Sequence, residues 1–384
     1  MNTFALASAA FLFLLVGQNA PAAPLTPEQQ LGKKLFFDPS LSEPAGQACA
    51  NCHAPENGFS DPANRVISPG IVPARFGNRN APSIAYAAYS PRFGFDKEET
   101  VYVGGQFLDG RAASLEAQAS GPFTNPLEMA NPDMKAVLAK VRQAPYANRF
   151  NKIYGRDALD NEHTGIQYIE AALSAYERSV ELNPFSSKYD AWLAGKEELT
   201  AQEQRGLEIF EAEDKGNCAA CHPSRPAKDG TPPLFTDYTY DNLGVPANPD
   251  NPFYHQDRRF NPDGAAYVDK GLGTPLDDAT QDGKFKVPTL RNIALTAPYM
   301  HNGVFTTLEE VADFYNSRDT KKWPAPEVST NINKDELGDL KLSEQELDDL
   351  VAFLNTLTDG YQPIRTSINK VDTPYDHAAN PLLN

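Results

Sequence analysis

Apolar positions recur at helical spacing in four places along the chain, and in one place they form an unbroken run. The run covers residues 4–17 (FALASAAFLFLLVG) and is followed by Gln18-Asn19-Ala20-Pro21-Ala22-Ala23. It is shorter than the ~20 residues that span a bilayer, and small residues follow it. It therefore reads as a cleaved export signal over residues 1–23, although no Lys or Arg precedes it. An uncleaved anchor and a buried helix are the rival readings. Leu31-Gly32-Lys33-Lys34-Leu35-Phe36-Phe37 and Arg205-Gly206-Leu207-Glu208-Ile209-Phe210 each predict a short amphipathic helix. Residues 163–182 carry Ile166, Ile169, Leu173 and Tyr176 on one face, a core helix. Ser343-Glu344-Gln345-Glu346 is a capping box ahead of Leu347, Leu350, Val351, Leu354 and Leu357, which predicts a closing helix. Between these, residues 223–283 are rich in Pro and Gly and read as irregular loops.

The chain has 384 residues, enough for two domains, and 41% apolar content suffices for two cores. Lys and Arg total 34 against 51 Asp and Glu, a net charge of -17. That balance excludes a nucleic-acid binder, since a phosphate backbone rewards clustered positive charge.

Scarce residues carry the chemistry. All four cysteines lie in Cys49-Ala50-Asn51-Cys52-His53 and Cys218-Ala219-Ala220-Cys221-His222. In a C-x-x-C-H motif the two thiols form thioethers with haem vinyl groups, and the adjacent imidazole binds iron. Zinc does not require a His directly after both pairs, and a thioredoxin-like pair expects a βαβ setting that is absent here. Two covalent c-type haems follow, with Cys49, Cys52, His53, Cys218, Cys221 and His222 as their attachment residues. Each motif stands behind one of the two short helices. The predicted fold is thus mainly α: two cytochrome c-like domains, residues 24–190 and 191–360, joined by long irregular loops, with a tail at 361–384.

A haem with an open face binds peroxide, whereas two strong axial ligands suit electron transfer. No histidine lies between His53 and His163, and the nearest methionines are Met129 and Met134. The first iron is therefore expected to lack a sixth protein ligand. For the second iron the candidates beyond His222 are Met300, His301 and Tyr315; residue chemistry alone favours Met300.

Further segments carry a family resemblance. They are Gly77-Asn78-Arg79-Asn80-Ala81-Pro82-Ser83, Asp109-Gly110-Arg111-Ala112, Gln118 through Gly121-Pro122 to Asn125-Pro126-Leu127-Glu128-Met129, and Val287-Pro288-Thr289-Leu290-Arg291-Asn292. Leu295-Thr296-Ala297-Pro298-Tyr299-Met300-His301-Asn302-Gly303 and Thr307-Leu308-Glu309-Glu310 complete the set. With two C-x-x-C-H motifs in order, the chain resembles the bacterial di-haem cytochrome c peroxidase and MauG family. The resemblance implies a pocket over the first haem built from Gln118, Pro122 and Glu128, with Glu128 moving protons during O–O cleavage. It implies Tyr315 as the second axial ligand and no capping histidine, the arrangement of the MauG branch. It also implies a calcium ion held by Asn80 and the carbonyls of Thr296 and Pro298. One departure is Leu108, which stands where the family carries an oxidisable Trp between the haems; Trp192 and Trp323 read as packing residues.

The function so implied is that of a periplasmic di-haem oxidoreductase that uses hydrogen peroxide to oxidise a protein partner. Peroxide detoxification fed by cytochrome c or a cupredoxin is the enzymatic alternative. A di-haem electron carrier or sensor without turnover is the alternative of another class.

Overall fold

The computed structural model describes residues 23–362. Of the expected export signal it includes only Ala23, and of the expected tail only residues 361 and 362; the remainder lies outside the described residues. Helices in the first half are α1 (Pro27–Phe36), α2 (Leu115–Ala119), α3 (Gly121–Thr124), α4 (Met134–Gln143), α5 (Ala147–Tyr154) and α6 (Glu162–Glu177). In the second half come α7 (Lys188–Leu193), α8 (Ala201–Glu211), α9 (Gly273–Leu276), α10 (Leu308–Ser317) and α11 (Glu344–Asn355). Five of them start on a closed capping box: Thr26 with Gln29, Ser187 with Asp190, Thr200 with Glu203, Thr307 with Glu310, and Ser343 with Glu346. Each box satisfies two backbone donors that a helix start leaves unpaired.

The helices bury their apolar faces in two separate clusters. Leu31, Leu35 and Phe36 of α1 meet Ile169, Leu173 and Tyr176 of α6 in the first, which α4 and α5 close with Val137, Val141 and Phe150. Leu207 and Phe210 of α8 meet Leu350, Phe353 and Leu354 of α11 in the second, with Phe314 of α10 alongside. The expected helix over residues 163–182 ends at Glu177, and the closing helix forms with Ser343 as its cap. Helix α7 straddles residues 190 and 191, and its Tyr189 packs in the second cluster. Trp192 and Trp323 also pack against that cluster.

Strands are few and short. β1 (Gly94–Asp96) and β2 (Val101–Val103) form an antiparallel hairpin in which Phe95 faces Tyr102. β3 (Tyr240–Asp241) pairs antiparallel with β4 (Phe285–Lys286), Tyr240 opposite Lys286. Residues 223–283 are otherwise irregular, broken by single helical turns and by α9.

Candidate active site

Both C-x-x-C-H motifs adopt one conformation. Cys49–Asn51 and Cys218–Ala220 each form a single 3₁₀ turn, and the His53 and His222 amides each donate to the carbonyl of the first cysteine at 2.9 Å. The His53 ring Nδ1 lies 3.2 Å from the Phe59 carbonyl, and His222 Nδ1 lies 2.8 Å from that of Phe235. Each carbonyl fixes the tautomer and leaves Nε2 free to bind a metal. Burial pushes both imidazoles down, His222 to about 4, so both rings are held neutral, the form that can bind a metal. The four thiols are unpaired with one another. Burial pushes Cys49, Cys218 and Cys221 up to about 12 and Cys52 to about 11. Such thiols resist the ionisation that a redox pair or a zinc site requires.

A cavity of about 560 Å³ runs between the two motifs and is lined by all four cysteines and both histidines. It is mostly apolar, as a porphyrin requires, and the residues present fit two covalent haems. Gln118 of α2, Pro122 of α3 and Glu128 all border the cavity. Glu128 sits in the turn after α3, where its amide donates to the Asn125 carbonyl at 3.0 Å and the Asn125 Nδ2 donates to its Oε1 at 2.7 Å. Burial raises the Glu128 pKa, against the opposing pull of Asn125 and of the Arg111 charge. Met129 packs in the first cluster and also borders the cavity. A smaller cavity, lined by Phe107, Arg111, Ala113, Ala117 and Asn125 among others, reaches Glu128 from the side of the exposed Arg111.

At the second motif Tyr315 of α10 faces the cavity, and its hydroxyl makes no hydrogen bond to a described residue. Burial pushes this phenol well above its ordinary range, with Cys218 and Cys221 adding to the effect. A bound ferric ion would reverse that shift and stabilise the phenolate. Met300 also borders the cavity. His301 is otherwise engaged: its Nε2 lies 3.0 Å from Glu327 Oε2, and its ring stacks on Phe285 at 3.9 Å. His163 and His255 are exposed and outside the cavity lining, and His377 lies outside the described residues.

Leu108 lies on the cavity wall, and its carbonyl accepts the Lys286 amide at 2.8 Å. The Lys286 Nζ donates to the Gly105 carbonyl at 2.5 Å, and burial pushes its ammonium down to about 8, with Asp109 opposing. Asn80, Thr296 and Pro298 border the same cavity. The Asn80 amide nitrogen donates to the Arg65 and Val66 carbonyls, at 3.1 and 3.0 Å. Its Oδ1 and the carbonyls of Thr296 and Pro298 accept no hydrogen bond from a described residue. Oxygen donors left free in this way suit a calcium ion.

Three cavity residues escaped the sequence reading of the site. Asn125 stands three positions before Glu128, a spacing that signals a side-chain contact in a turn. Lys286 and Glu177 gave no local signal. Glu177, on the last turn of α6, borders the cavity beside Cys49, and burial pushes its carboxyl up to about 8.

Known proteins match this chain along most of its length. The model of the di-haem cytochrome c peroxidase family matches residues 26–198, and that of cytochrome c matches residues 203–358. The methylamine utilization protein MauG of Paracoccus denitrificans is 41% identical over 355 residues, covering 87% of this chain and 89% of the relative. Cytochrome c551 peroxidase of Nitrosomonas europaea is 32% identical, covering 91% and 87%. Among solved structures, the dihaem peroxidase BthA of Burkholderia thailandensis superposes with a TM-score of 0.75 at 34% identity, covering 89% of this chain and 88% of that one. Two motif turns opening on one apolar cavity, in a chain that such relatives match nearly end to end, identify a member of the di-haem cytochrome c peroxidase and MauG family: a mainly α-helical, peroxidase-type oxidoreductase that carries two haems.

Proposed function

We propose that this enzyme reacts with hydrogen peroxide at its first haem and passes the oxidising equivalents to a protein partner in the periplasm. The observation that carries the reading is the composition of the cavity wall. Beyond the two motif histidines it holds only His301, which Glu327 occupies, so among the described residues no spare imidazole can cap the first iron. A buried carboxyl, Glu128, lines the wall instead. Bound haem supplies an iron that takes peroxide and retains its oxidising equivalents. In this reading Glu128 takes a proton from one peroxide oxygen and returns it to the departing one, Gln118 holds the oxidant, and Pro122 restricts its approach. Asn125 keeps the carboxylate of Glu128 oriented and ionisable.

Tyr315 and His222 are the residues proposed to hold the iron of the second haem. Support comes from the unbonded phenol facing the cavity and from the engagement of His301 with Glu327. Calcium is proposed at Asn80, Thr296 and Pro298 on the strength of their free oxygens. Residues 24–190 and 191–360 are proposed as the two haem-bearing units, supported by the two apolar clusters. Periplasmic location rests on the apolar run at residues 4–17, read as an export signal.

The test is to add peroxide to the holoprotein together with periplasmic extract of the native host and to search by mass spectrometry for a newly oxidised protein. A single modified protein, dependent on the enzyme, is expected. Rapid peroxide-driven oxidation of reduced cytochrome c with no modified protein would replace this reading by detoxification.

A further inference from the structure

The family's tryptophan is missing at position 108, yet aromatic rings converge on the same loop from another direction. A Cβ at Gly110 would lie 2.3 Å from the Tyr240 hydroxyl and 2.7 Å from the Phe93 ring, so both rings press directly against the 107–111 loop between the haem motifs. Tyr240 leads β3, and the next residue, Asp241, lines the haem cavity. From Tyr240 the rings step outward. Phe93 meets Tyr240 edge-on at 6.1 Å between centroids, Tyr102 stacks on Phe93 at 5.7 Å with planes only 5° apart, and Phe95 meets Tyr102 at 4.9 Å. Phe95 is 49% exposed at the surface of the β1–β2 hairpin. An unbroken aromatic column thus joins the inter-haem loop to solvent.

The two phenols in the column differ in what they can do with a proton. Electron loss from tyrosine is feasible when the proton leaves with the electron. The Tyr240 hydroxyl is buried and donates to the Gly104 carbonyl, an amide oxygen and therefore a poor base. The Tyr102 hydroxyl is bonded to no described residue and belongs to a half-buried side chain, so water can take its proton. Neither phenylalanine is oxidisable at the potentials involved. Phe93 instead fills the gap between the phenols, and tunnelling across such close rings is far faster than one long transfer.

We propose that Tyr102 is a redox-active residue of this enzyme, oxidised by one electron through Phe93 and Tyr240, and that the β1–β2 hairpin is where oxidising equivalents leave the molecule. The balance is H₂O₂ + 2 TyrOH → 2 H₂O + 2 TyrO•. Each tyrosine oxidised gives up one electron inward and one proton to water, and the two electrons and two protons reduce one peroxide. Two successive oxidations at Tyr102, each followed by re-reduction from an outside donor, satisfy the same balance. The inference rests on the peroxide reading above.

The experiment treats ferric holoprotein with one equivalent of peroxide and a nitroso spin trap, and locates the adduct by peptide mass spectrometry while the haem absorption is followed. The expected adduct is on Tyr102. Tyr102→Phe, which removes only an unbonded hydroxyl, should abolish the adduct and slow the return of the oxidised haem spectrum by at least ~5-fold, about 1 kcal/mol of barrier. Its initial rate with peroxide should be unchanged. Phe93→Leu should weaken the adduct while leaving Tyr102 in place. If the haem spectrum responds to peroxide but no adduct forms on Tyr102, or Tyr102→Phe decays at the wild-type rate, the inference is overturned and the peroxide reading survives. A haem spectrum that ignores peroxide overturns both.

Discussion

Asn125 and Glu128 show how one hydrogen bond sets a working pH. The Asn125 amide stabilises the ionised Glu128 carboxyl that burial disfavours. The base form takes the first proton, so the rate with peroxide should rise with pH through the Glu128 pKa. In Asn125→Ala that midpoint should move to higher pH, and in Glu128→Gln the limb should vanish with the rate down by ~10² or more. Stopped-flow rates across pH on variants with two haems per chain check both; a midpoint shifted to lower pH in Asn125→Ala contradicts the assignment. Glu177 gives a stability counterpart. Burial raises its carboxyl from 4.5 to about 8, so the folded state holds the proton more tightly than the unfolded chain. Stability from this group is complete below about 4.5 and is lost as pH rises toward about 8. Glu177→Gln should flatten that decline, recovering on the order of 3 kcal/mol at pH 8 relative to pH 5 in denaturant unfolding of the holoprotein. The proposed haem-attachment residues stand out from adjacency alone, because C-x-x-C-H is local chemistry. Glu128 was one acid among 51 until the family resemblance singled it out. Glu177 stayed hidden because only its burial in the folded chain distinguishes it.

Helix crossings explain why the two haem units share a sequence pattern. Gly32 in α1 and Gly206 in α8 occupy the same place in the repeated segments. A Cβ at Gly32 would lie 1.8 Å from the Ala172 carbonyl of α6, and one at Gly206 would lie 2.0 Å from the Asp349 carbonyl of α11. Each glycine lets two helix backbones touch at their crossing, and the backbone atom it faces cannot swing aside. Gly32→Ala and Gly206→Ala should each destabilise the protein by ~3 kcal/mol, as overpacking a tight contact does. Thermal unfolding of the holoproteins measures this, and a loss below ~0.5 kcal/mol would mean the crossing relaxes. The four crossing helices were readable from apolar spacing, and α11 also from its capping box. Their crossing partners were not, since the pattern names the buried face without saying what lies against it. The β1–β2 hairpin also went unread: three residues per strand are too few for an alternating pattern to emerge.

Across the whole molecule, one buried ionic junction ties the halves of the chain together beside the inter-haem loop. Arg79 donates to both oxygens of Asp269 and to Asp109, all at 2.7 Å, and all three side chains are nearly excluded from solvent. Attraction to the guanidinium outweighs burial and holds Asp269 down to about 2. Arg79→Met leaves two carboxylates without that partner and should cost ~3–5 kcal/mol. Denaturant unfolding checks it, and a near-neutral result would show that water enters the junction. The two-unit architecture followed from the repeated motifs and helices, whereas this junction joins residues 190 positions apart and left no trace in either local pattern. In the proposed function, peroxide meets an open haem and the molecule then retains its oxidising equivalents. Titrating ferric holoprotein with one equivalent of peroxide, with no donor present, and then with ferrocyanide tests this most directly. An immediate change in haem absorption that two equivalents of ferrocyanide reverse is expected; a haem spectrum that does not respond to peroxide overturns the proposed function.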